Sequence, residues 1–178
     1  VTPAADQNGT ATITLTVKDD PNGGAESSVS FNVVVAAVND APTISAVANQ
    51  GINEDANTGA IAFTVCDNET AAGDLTVTGE SNNTNLVPNA NVVIGGSGAN
   101  RTVTVTPAAD QNGTAEITLK VKDGADVEVT RTFDVVVAAV NDAPTIDAIA
   151  NQTVFENSTP TVTIAVQDVD GDNVSISG

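Results

Sequence analysis

VTPAADQNGTATITLTVKD, residues 1–19, returns as VTPAADQNGTAEITLKVKD at residues 105–123, with only Thr12/Glu116 and Thr16/Lys120 different. A second block, VVVAAVNDAPTI, stands at 33–44 and again at 135–146. The first pair is offset by 104 residues and the second by 102. The two-residue difference falls in the Asn/Gly-rich stretch 20–25, where a loop tolerates insertion. A weaker third match sets IAFTVCDNE (61–69) beside VTIAVQDVD (162–170). The chain is therefore built on a unit of about 100 residues, an ordinary domain size. Read in that frame, residues 1–39 form the last third of one unit. Residues 40–141 form a whole unit, and residues 142–178 form the first third of the next.

Within the unit the apolar period is two. Ile13, Leu15 and Val17 alternate with Thr, as do Ile117, Leu119 and Val121; Val103 with Val105, and Ile61 with Phe63 and Val65, repeat the spacing. Such alternation of β-branched residues marks half-buried strands. No stretch keeps a 3.6-residue period. The pattern predicts about seven strands in the full unit, near 43–48, 60–66, 74–78, 91–94, 101–106, 115–122 and 127–138. Asn8-Gly9, Asn22-Gly23, Gly95-Gly96 and Asn112-Gly113 supply turn chemistry between runs. Seven short strands in one unit imply an all-β Greek-key sandwich of the immunoglobulin-like or cadherin-like kind. Asn39-Asp40-Ala41-Pro42 and Asn141-Asp142-Ala143-Pro144 read as linkers. Their prolines fix φ and hold the preceding residue extended, which favours an extended array.

Composition removes several functions. Lys and Arg total 5 against 23 Asp and Glu, a net charge of −18. Such a chain is a poor ligand for nucleic acid. There is no His, Met, Trp or Tyr, and there is one Cys. Cys/His zinc sites and triads built on His are excluded, and so is an internal disulfide. No apolar run reaches the ~18 residues of a membrane span, so no membrane insertion is expected, and no signal peptide is visible. Carboxylate pairs can hydrolyse glycosides. Without Trp or Tyr to hold a sugar, and with the pairs recurring in every repeat, no enzymatic activity is expected. Cys66 lies on the opposite parity from Phe63 and Val65 and matches Gln167 in the repeat, which predicts a solvent-facing free thiol. Eight Asn-x-Ser/Thr sequons arise from the Asn/Thr-rich composition. Asp168–Asp172 lacks EF-hand spacing, with Gly171 at position 4 rather than 6. IGGSGAN (94–100) occurs once and reads as a hairpin loop.

The acidic residues sit beside strand ends: Asp110-x-Asn112, Asp123, Asn141-Asp142, Glu156 and Asp168-x-Asp170. A uniformly solvated acidic surface is the competing reading, but strand middles carry Thr instead. Oxygen donors held on loops suit Ca²⁺, which takes 6–8 oxygen ligands. A small-residue core poor in aromatic groups would also gain stability from a bound ion.

These motifs resemble cadherin domains. The resemblance runs through VNDAPTIDAIANQTVFENSTPTVTIAVQDVDGDNVSISG (140–178), with its linker, Glu-Asn motif and Asp-x-Asp strand end, and through VKDGADVEVTRTFDVVVAAVNDAPT (121–145). The DQNGTAEITLKVKDG stretch is similar to the tandem cadherin-like repeats of large bacterial surface proteins. The resemblance implies calcium between successive domains. At the 141/142 junction it would use Glu54, Asp110 and Asn112, then Asn141 and Asp142, then Asp168, Asp170 and the Asn173 carbonyl. At the 39/40 junction it would use Asp6 and Asn8, then Asn39 and Asp40, then Asp67, Glu69 and Asp123, with Asp19 serving a junction upstream. The chain departs from the family in four respects, one of them the absence of the second linker Asn. Ala37 and Ala139 replace the first linker Asp, Asp110-Gln111-Asn112 stands for Asp-Arg-Glu, and the loop 168–173 is a residue short. Fewer carboxylates imply fewer or weaker ions.

The implied function is a spacer in a repetitive protein of the prokaryotic cell surface or of an extracellular fibre, in an adhesin that contacts cells or glycans through other domains. Each sandwich would add roughly 40 Å, from a 12-residue strand. Its partners would be neighbouring repeats of the same protein. The alternatives are a self-assembling filament subunit, a homopolymer whose terminal partial repeats complement each other, and a carbohydrate-binding module of a secreted enzyme.

Overall fold

The computed structural model describes residues 1–20 and 23–177. Among these described residues twelve strands run in chain order: β1 Gly9–Lys18, β2 Glu26–Val35, β3 Thr43–Ile44, β4 Gln50–Asn53, β5 Ile61–Cys66, β6 Thr76–Ser81, β7 Val92–Ser97, β8 Asn100–Val105, β9 Gly113–Lys122, β10 Glu128–Ala138, β11 Thr145–Ile146 and β12 Val166–Gln167. One 3-10 turn, Asn89–Asn91, precedes β7. The all-β expectation holds.

Between residues 43 and 138 two four-stranded sheets face each other, in the orders β3-β5-β8-β7 and β4-β10-β9-β6. All pairings are antiparallel except β4 on β10, which is parallel. Their inward positions form one core. Val65, Val103 and Val105 come from one sheet, and Ile117, Leu119, Val121 and Val135 from the other. This is the period-two pattern converted into burial, since alternate side chains of a strand share a face.

The strand predicted at 43–48 is strand only at Thr43–Ile44, and a further strand, β4, which was not predicted, follows at Gln50–Asn53. β3 pairs with β5, the chain crosses between sheets, and β4 then runs beside β10. Asn49 explains the crossing. Its Nδ2 donates to Asp134 Oδ2 at 3.2 Å, and its Oδ1 accepts the Asp134 N–H at 2.9 Å. A side chain thus pins the chain to the second sheet one residue before the ladder begins.

Gly95-Gly96, predicted as a turn, lies inside β7. The turn is Gly98-Ala99, because Ser97 pairs with Asn100. Gly98 has φ +57, which a two-residue hairpin accepts at its first central position. Gly96 has φ +81, and a Cβ there would stand 2.4 Å from the Asn100 carbonyl oxygen. The strand 74–78 begins two residues later than predicted, at Thr76. Asn22, in the predicted Asn22-Gly23 turn, lies outside the described residues. Connection 82–91 carries Leu86 and Val87 into the core, and the Asn82 and Asn89 side chains accept the backbone N–H groups of Glu116 and Ser81. Cys66 is free and exposed, as its parity predicts.

On either side lie smaller pieces. β1 and β2 form a two-stranded antiparallel sheet. β11 and β12 pair Thr145 with Gln167 and Ile146 with Val166, the pattern by which Thr43 and Ile44 meet Cys66 and Val65.

Candidate metal centre

The Asn-Asp-Ala-Pro linker folds alike in both places. Asn39 Nδ2 donates to the Asp40 carbonyl at 2.7 Å, and Asn141 Nδ2 to the Asp142 carbonyl at 2.9 Å. The Asp40 N–H donates to Glu69 Oε2 at 2.9 Å, and the Asp142 N–H to Asp170 Oδ2 at 2.7 Å. Each linker Asp is therefore clasped by the acidic loop that follows β5 or β12. That loop is shaped by its own first carboxylate. Asp67 Oδ1 accepts the N–H groups of Glu69 and Thr70, and Asp168 Oδ1 those of Asp170 and Asp172.

At the 141/142 junction the donors of three segments meet. Glu54, Asp142 and Asp170 bring carboxylate oxygens within 4.8 Å of one another, and so do Asp55, Asp110 and Asp142. Asp142 belongs to both groups. Glu54 is 5% exposed and takes the Val140 N–H on Oε1, so it is fixed to the base of the linker. Asp55 and Asp110 sit at φ 60 and 55, left-handed positions that Asp tolerates better than most residues. The Asp110 N–H donates to Asp55 Oδ1 at 3.2 Å. Asp142 Oδ2 is buried and has no hydrogen-bond partner. Burial, then the charges of Asp170, Asp110, Asp55 and Glu54, push the Asp142 carboxyl above the usual carboxylate range. Without a cation, ionised Asp142 is costly here.

Of the residues proposed from sequence for this junction, Glu54, Asp110, Asp142 and Asp170 thus converge. Asp168 lines the same cleft as Asp110 and Asp142. Asn141 orients the linker, while Asn112 and Asn173 are exposed. Asp55 was not anticipated. Its counterpart in the repeat is Asn157, which shares its positive φ of 63. Two residue types that accept that conformation at matching positions were the available signal.

The 39/40 junction is arranged differently. Asp6, Asn8, Asp40 and Glu69 line one cleft. Among the described residues no three carboxylates come together there. No residue of segment 1–38 stands in the repeat position of Glu54 or Asp55. Asp123, 5% exposed, closes its loop by accepting the Ala125 and Val127 N–H groups on Oδ1, and takes Asn39 Nδ2 on Oδ2 at 2.8 Å. The Asn39 bond holds the Asp123 carboxyl below its ordinary range. Asp67 Oδ2 is buried and unpartnered.

The donors at 141/142 are all hard oxygens, the chemistry that Ca²⁺ prefers, with no nitrogen or sulfur to favour zinc. The orphaned Asp142 oxygen fits a cation ligand. Should Ca²⁺ bind, Asp142 would bridge the two carboxylate groups.

Two packed sheets followed by an acidic linker define the class as a β-sandwich module. Residues 39–136 match the profile of the bacterial Ig domain family, more than half of the chain. The chain belongs to that family. Among solved structures it resembles the protocadherin gammaB7 EC3-6 cis-dimer, with 23% identity over 90% of this chain and 40% of that one, at a TM-score of 0.51. Extracellular cadherin domains 1-4 of protocadherin gamma B7 align at 16% identity over 94% of this chain and 42% of theirs, with a TM-score of 0.51. Domains 3-6 of protocadherin gamma B2 align at 18% identity over 90% and 39%, with a TM-score of 0.50. The chain spans about two fifths of each of these, and the likeness is one of fold. No curated protein matches at a significant level.

Proposed function

We propose that the chain is a spacer segment of a repetitive extracellular protein, an adhesin stalk or fibre, whose inter-unit junctions are stiffened by calcium. The parse is 1–39, 40–141 and 142–178, with neighbouring repeats as the direct partners. The observation that carries the reading is the five carboxylates Glu54, Asp55, Asp110, Asp142 and Asp170 meeting at one linker, with Asp142 Oδ2 buried and unpartnered. Like charges so placed repel unless a cation lies among them. Bacterial Ig domains are typically extracellular, and among the described residues no helix is long and apolar enough to cross a membrane. The role is mechanical and non-catalytic. The uncovered face of β1–β2 also supports the filament reading; a monomer at every concentration in size-exclusion chromatography would remove it.

Calcium should raise the melting temperature by mass-action linkage, by RT ln(1 + [L]/Kd) in free energy. Asp142→Ala should abolish most of that gain, because it removes the ligand common to both groups. Identical melting curves in millimolar calcium and in chelator would end the reading.

A further inference from the structure

Asp40 and Asp142 hold the same place in the two linkers, and their backbone contacts match, yet their carboxylates meet different neighbours. Asn68 Nδ2 donates to Asp40 Oδ2 at 3.1 Å. The residue matching Asn68 in the next acidic loop is Val169, which borders the cleft beside Asp142 and Asp168 and has no donor to offer. Asp142 Oδ2 is correspondingly the atom left without a partner. The loops are otherwise built alike: Asp67-Asn68-Glu69 against Asp168-Val169-Asp170, each bent by its first carboxylate and each clasping the linker N–H through its third. Besides the carboxylates that surround Asp142 alone, one side chain, amide in one loop and isopropyl in the other, separates the two linkers.

We propose that this middle position sets how much calcium a junction demands. Asn68 supplies the linker carboxylate with an amide donor, so the 39/40 linker is held without an ion, and the amide takes up part of the acceptor strength that Asp40 Oδ2 could give an ion. Val169 leaves Asp142 dependent on the ion. Asp67 Oδ2 is still unpartnered at 39/40, so the amide competes for one ligand and does not replace the site. An array with both loop types would stiffen in steps as calcium rises. This inference rests on the calcium reading above and adds a rank order to it.

The test uses the whole chain, with calcium binding followed by calorimetry and amide exchange of residues 142–146 measured in chelator. Val169→Asn substitutes an exposed residue, so the fold should persist. It should weaken calcium binding roughly two- to tenfold, the worth of one net hydrogen bond. It should also slow exchange at the 142–146 linker in chelator. Asn68→Val should speed exchange at residues 40–44 in chelator. Wild-type affinity in Val169→Asn together with unchanged exchange in both variants would overturn the proposal while leaving calcium at the junction intact. A wild-type chain that binds no calcium would instead remove the underlying reading and this proposal with it.

Discussion

β1 and β9 are nearly the same sequence, and their partners β2 and β10 share the Phe and the Val-Val-Val run, yet the two hairpins stand in different environments. Their registers agree pair for pair, from Gly9↔Val35 and Gly113↔Val137 to Lys18↔Glu26 and Lys122↔Glu128. Their burial does not agree. Leu119 is fully buried while its copy Leu15 is 55% exposed, and Phe133 is 3% exposed against 47% for Phe31. Alternation along the two strands thus keeps the register of the hairpin, although the connecting loops differ in length by two residues. Burial comes from the facing sheet β3-β5-β8-β7, which among the described residues covers one copy only. Even ion pairing shifts with the loop. Lys18 reaches Glu26 across the strands, whereas Lys122 in the shorter connection turns to Asp126 at 2.7 Å.

Providing the missing sheet is the strongest way to break the comparison. Residues 38–104 placed ahead of Val1 restore a full unit, since Val1 matches Val105. The chimera should gain a second cooperative transition with the stability of a small domain, about 5–15 kcal/mol. Calorimetry would detect it, and amide exchange should show β1–β2 protected to the level of β9–β10. A hairpin that exchanges as freely in the chimera as in the present chain would mean that the repeats are alike in sequence without being alike in structure.

A single side chain tests the same contrast. Leu119→Ala empties a site in the packed core and should cost about 2–5 kcal/mol in chemical denaturation. Leu15→Ala, at an exposed site, should stay within about 0.5 kcal/mol. In the chimera the second substitution should become as costly as the first. Equal small losses at both positions would contradict the burial of Leu119.

The comparison also shows what could be read in advance. Alternating Val, Ile and Leu exposed the strands of the sandwich, and the repeat exposed the unit. The crossing at Asn49 was hidden because it depends on Asp134, a residue 85 positions away in sequence. Leu86 and Val87 were hidden because their loop has no period and their burial is tertiary. At the junction, the linker and the loops after β5 and β12 were legible as short acidic motifs. Asp55 was not, since its place beside Asp110 is set by backbone conformation rather than by spacing. The difference between Asn68 and Val169 was visible as letters, but only the contact with Asp40 gives it meaning.

The smallest effect belongs to one of the two positions at which β9 differs from β1. Lys120, in the central strand β9, has neighbours on both sides and pairs with Glu80 of β6 at 2.7 Å. The hydrogen bond to Glu80 raises its pKa. Thr16, its copy, has only β2 beside it and shares a hydrogen bond with Ser28 at 2.8 Å. Lys120→Thr in the complete sandwich removes an exposed ion pair, a contact that water and salt screen heavily. The expected outcome is a slight drop in denaturation midpoint at low ionic strength that disappears in molar salt. A loss that persists in molar salt would show that the aliphatic stem of Lys120 contributes more than its charge. In that case Thr16 would be a weaker residue than Lys120 in a central strand, and β1 in the chimera should be less stable than β9 even with its sheet restored.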